Sequence, residues 1–64
     1  MQAHQQRVVD EKAELDGKLA KLVAFYDTPI YAGLDEAERV RLSRQGQVMS
    51  EYSDILGQRI AAFI

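Results

Sequence analysis

The chain has no cysteine and no tryptophan, and only one proline and one histidine among its 64 residues. The missing cysteines exclude disulfides and thiolate chemistry. His4 stands alone, so the set of about four Cys or His ligands that a structural zinc requires is absent. Neither sign of charge dominates. Eight basic and ten acidic residues are mixed along the chain and give a net charge of −2. That balance excludes a polybasic arm for duplex DNA or for an anionic membrane surface. No run approaches the ~20 apolar residues of a membrane span. Met1 to Arg7 lacks the apolar core of a secretory signal. The expectation is a cytoplasmic protein with no cofactor, no metal, no membrane and no DNA duplex among its partners.

What is present is helical rhythm. Val8, Leu15, Leu19, Leu22 and Tyr26 recur at intervals of seven, four, three and four, the spacing of one helix face. With Val8, Leu15 and Leu22 at heptad position d, position a holds Gln5, Lys12, Leu19 and Tyr26. The opposite face carries Asp10, Glu14, Asp16, Lys18 and Lys21, with Gly17 as a weak point. The spacing predicts a first helix over residues 3–26. Its first two turns are mostly polar.

Thr28-Pro29 breaks the pattern, because the residue before proline avoids the α region. Thr28 is placed to cap a short turn with Pro29 as its first helical residue. Ile30, Tyr31 and Ala32 are too apolar for a solvated loop and are expected to tuck into one end of a hairpin. Gly33 permits a tight turn. Asp35, followed three residues later by Glu38, has the form of a capping box. The second helix is expected over residues 35–63, with Leu42, Met49, Leu56 and Phe63 at seven-residue spacing. Val48, Ile55 and Ala62 line one side of that seam. Tyr52 and Ile60 lie near the other. Gly46, Ser50, Ser53 and Gly57 form a small-residue stripe beside it, either a solvated face or a groove where another helix or a flat ligand meets backbone.

The expected fold is therefore all-α: a single-domain antiparallel two-helix hairpin spanning residues 1–64, with a connection at 27–34. A chain this short buries only about 60% of its unfolded surface. With disulfides and metals excluded, a partner subunit is the staple left. The apolar tail Ile60 to Ile64 faces the polar start of the first helix across such a hairpin. The hairpin is thus expected to assemble into a helical-bundle homo-oligomer through Leu42, Met49, Tyr52, Leu56, Ile60 and Phe63.

Candidate ligand-binding residues are Lys12, Tyr26, Tyr31, Arg39, Arg41 and Arg44. The arginines suit phosphate and the tyrosines suit a stacked base. The plainer reading pairs the arginines with Asp35, Glu36 and Glu38 along the helix, and treats Lys12 as a seam residue that sets register. Asp10, Glu11, Glu14 and Asp16 read as a solvated helix surface. His4 has no nucleophile or carboxylate at a catalytic spacing, and the phosphate loop, H-E-x-x-H and nucleophile-elbow motifs are absent. No catalytic residue is assigned and an enzyme is not expected.

His4-Gln5, Arg7-Val8, Asp10-Glu11-Lys12, Glu14-Leu15-Asp16 and Lys21-Leu22 in the first helix, with Tyr52-Ser53 and Arg59-Ile60 in the second, carry a resemblance. The chain resembles small helical hypothetical proteins of tailed phages and prophages, a group without assigned chemistry. The resemblance implies a phage accessory protein in the host cell cytoplasm. Such a protein is expected to counter a host defence by binding a host protein. The alternatives are an oligomeric sponge that holds a cyclic or linear nucleotide signal in pockets between chains, and a helper of virion structure or assembly.

Overall fold

The computed structural model describes residues 1–63. Ile64, the last residue of the expected apolar tail, lies outside them. Three helices follow in order: α1 (Ala3–Tyr26), α2 (Pro29–Gly33) and α3 (Glu36–Ala61). No strand occurs among the described residues. No helix there is long and apolar enough to cross a membrane.

Each boundary has a local cause. The Gln5 side-chain oxygen accepts the Gln2 backbone N–H at 2.9 Å, satisfying a donor at the start of α1. Thr28 serves two helices. Its hydroxyl donates to the Phe25 carbonyl at 2.7 Å and accepts the Tyr31 N–H at 3.2 Å, so one residue closes α1 and opens α2. Pro29 takes the first helical position, where its missing N–H costs nothing. Asp35 accepts the Glu38 N–H at 3.1 Å. The Glu38 carboxylate turns instead to Arg41 at 2.9 Å, so the expected capping box is only half formed. Arg59 in the last turn of α3 complements the negative end of the helix dipole.

The expected plug of Ile30, Tyr31 and Ala32 reduces to Tyr31. Its ring meets Phe25 edge-on at 5.9 Å and lies tilted against Tyr26 at 5.1 Å. Its hydroxyl donates to the Arg39 carbonyl at 3.2 Å. Ile30 is 69% exposed and Ala32 is exposed as well. A helix of five residues has a single inward face, and Tyr31 occupies it.

α1 and α3 pack antiparallel. Tyr26 meets Leu42 near the connection, and Lys12 meets Ser53 far from it. The face of α3 turned to α1 runs Leu42, Gly46, Met49, Ser53, Leu56 and Ile60, at alternating steps of four and three. Large and small residues therefore share one seam, where the sequence suggests two parallel stripes. The buried apolar core is thin: Val8 is 6% exposed and Leu56 is fully buried. The result is a rod of 46 × 14 × 13 Å.

Candidate ligand groove between the helices

One flank of the rod carries a groove of about 300 Å³. Leu19, Val23 and Tyr26 of α1 form one wall, and Ser43, Gly46, Gln47 and Ser50 of α3 form the floor and the other wall. Small residues make it. Gly46 has no Cβ, and a Cβ there would collide with the Tyr26 hydroxyl and stand 3.4 Å from the ring carbon that bears it. The tyrosine thus lies directly on the backbone of α3 and donates to the Leu42 carbonyl at 2.7 Å. Ser43 and Ser50, one turn to either side, keep the floor low. Val23 stays half exposed as an apolar wall, while Ser43, Gln47 and Ser50 present hydroxyl and amide groups at the opposite edge. The groove suits a flat, partly apolar group with hydrogen-bonding atoms on one side.

Nearer the open end of the hairpin, a polar cluster bridges the helices. Lys12 donates to Asp16 and to Ser53, each at 2.8 Å. The Ser53 hydroxyl donates to the other carboxylate oxygen of Asp16. The hydrogen bond from Lys12, joined by that from Ser53, holds the Asp16 carboxyl below its ordinary value of 3.8. The lysine stem passes Gly57, where a Cβ would stand in ordinary van der Waals contact with its Cε at 3.4 Å.

The six ligand candidates scatter. Tyr26 alone lines the groove. Lys12 is committed to the polar cluster, and Tyr31 to the connection. Arg41 pairs with Glu38, as the plainer reading has it. Arg39 points one guanidinium nitrogen at the Ala32 carbonyl, 3.5 Å away. Among the described residues Arg44 takes part in no ion pair. It is exposed, one residue from Ser43.

The interface candidates are also redistributed. Leu56 is buried inside the single chain, and Leu42, Met49, Ile60 and Phe63 are half-buried. Tyr52 remains 42% exposed. The sequence reading missed Gln47, and it left Asp16 on a solvated face. The four-residue step from Lys12 to Asp16 was the available signal for that pairing.

A family model described as Sequestin matches residues 2–62. No curated protein and no solved structure matches the chain.

Proposed function

Because the chain belongs to the Sequestin family, we propose that it works by sequestration: it holds a small molecule without transforming it, and that molecule is a nucleotide. The observation that carries this reading is the groove. Its volume of about 300 Å³ falls at the small end of ligand pockets. Its apolar wall suits a base, and Ser43, Gln47 and Ser50 suit the polar edge of that base. Arg44, on the same stretch of α3, supplies charge for phosphate. Sequestration needs no nucleophile or acid–base pair. In a phage setting, this activity would withdraw a nucleotide signal from a host defence. Capture of a small ligand takes precedence over inhibition of a host protein, because the family name and the concave groove favour it together.

Titration calorimetry against a panel of cyclic and linear nucleotides tests the proposal. Binding is expected for at least one nucleotide. Ser50→Leu, which fills the floor of the groove from an exposed position, should weaken it by about tenfold or more, or about 1.4 kcal/mol. Helicity should be unchanged. An absence of heat at high micromolar ligand would sink the reading.

A further inference from the structure

α3 carries a second seam that its own chain does not cover. Arg41, Gln45, Val48, Tyr52, Ile55 and Arg59 alternate at steps of four and three, parallel to the seam that meets α1 and one residue behind it. Val48, Tyr52 and Ile55 in its middle are 54%, 42% and 55% exposed. Two adjacent seams on one helix are the pattern of a helix with two helical neighbours. This hairpin supplies one.

The surface area says how much covering is missing. A compact monomer of 7.2 kDa exposes about 4,100 Å². This chain exposes 4868 Å². That leaves an excess of about 750 Å² that a compact chain of this mass would cover. The radius of gyration, 14.7 Å, likewise exceeds the ~11 Å of a compact domain this long.

The matching surface lies on α1. Val9, Ala13, Asp16, Ala20, Val23 and Asp27 repeat at the same steps of four and three. None of them is buried. This seam is small-apolar and ends in an acidic residue, Asp27, where the α3 ridge is large-apolar and begins with a basic one, Arg41; Asp16 is already tied to Lys12 and Ser53. We propose that the exposed ridge of α3 packs antiparallel on the α1 seam of a second copy of this chain. In the register that sets Tyr26 against Leu42 within one chain, Arg41 meets Asp27 of the second copy. Val48 meets its Ala20, and Ile55 its Ala13. Ridge against ridge would instead bring Arg41 towards Arg59. The contact is head-to-tail, so each copy offers both surfaces and the assembly closes as a ring or extends. Val23 lines the groove, so a neighbouring α3 seated there adds a third wall to it. The pairing itself does not rest on the ligand reading.

The missing cysteines make the test clean. Chains bearing Ile55→Cys and chains bearing Ala13→Cys are mixed and oxidised, and native mass spectrometry of the unaltered chain gives the copy number. Expected are a multimer for the unaltered chain and a disulfide-linked heterodimer for that pair, since a disulfide demands Cα atoms within ~7 Å. Ile55→Cys mixed with Gly17→Cys, on the outer face of α1, should not link. Tyr52→Lys should shift the mass towards one copy, whereas Val40→Lys, at an exposed apolar position off the ridge, should not. If Tyr52→Lys loses its helicity, the cysteine pairs still decide. A folded monomer at tens of micromolar overturns the proposal. So does linkage of Ile55→Cys chains chiefly to one another, or as readily to Gly17→Cys.

Discussion

Gly46→Ala is the sharpest probe of how this hairpin closes. Inside a helix, alanine is favoured over glycine by about 1 kcal/mol, so intrinsic propensity alone makes the substitution stabilising. The structure reverses the sign. The new methyl group falls on the Tyr26 hydroxyl and within 3.7 Å of a Leu22 methyl. Forcing the ring away costs about 1–3 kcal/mol of overpacking, plus about 0.5–1.5 kcal/mol for the bond to the Leu42 carbonyl. The net expectation is a loss of about 2 kcal/mol, or a Tm lower by about 8–16 °C for a domain this small. Tyr26→Phe supplies the control, because it deletes the atom that collides. In that background Gly46→Ala should be neutral or stabilising. Urea and thermal unfolding of all four proteins of this cycle, at one fixed chain concentration, measure the coupling. If Gly46→Ala raises stability equally with Tyr26 and with Phe at that position, the close approach is not what Gly46 provides, and the origin of the groove floor is wrong.

Two further outcomes follow from the seam. Leu56→Asp places a carboxylate where the side chain is 0% exposed, which should cost more than about 4 kcal/mol and abolish helicity by circular dichroism; unchanged helicity and unchanged mass by light scattering would contradict the seam. Asp16 is held below its ordinary value of 3.8 by Lys12 and Ser53, so its contribution is complete above that value and disappears as pH falls through the lower, folded-state one. Asp16→Asn should therefore melt earlier at neutral pH and lose less stability on acidification, and a gap between the two proteins that stays constant down to about pH 2 would exclude the cluster as an acid-sensitive tie.

The helices were legible because their punctuation is local. Thr28-Pro29 and Asp35 act within three or four residues of themselves, and the heptad spacing of Leu42, Met49 and Leu56 identifies the inward face of α3. The groove was not legible, because it depends on which flank of each helix the other leaves bare. Gly46 and Ser50 belong to one small-residue stripe in the sequence. Packing sends Gly46 under Tyr26 and leaves Ser50 on the open flank. The interface residues failed to separate for the same reason. Periodicity shows that Leu56 and Tyr52 are both apolar positions of α3, and only the placement of α1 decides that Leu56 is consumed within the chain while Tyr52 is spare. Ile30 is the more apolar of two neighbours, yet a single turn of helix turns it out and Tyr31 in.

The Thr28 double cap has a consequence for how the hairpin comes together. It fixes the bend using residues close in sequence, before any distant contact exists. The Tyr26–Leu42 contact then closes a span of 16 residues, and the Lys12–Ser53 contact one of 41. By loop-closure entropy the shorter span is cheaper by about 0.8 kcal/mol. Closure cost alone therefore favours first contacts beside the bend, with the buried pair of Val8 and Leu56 near the free ends of α1 and α3 joining later.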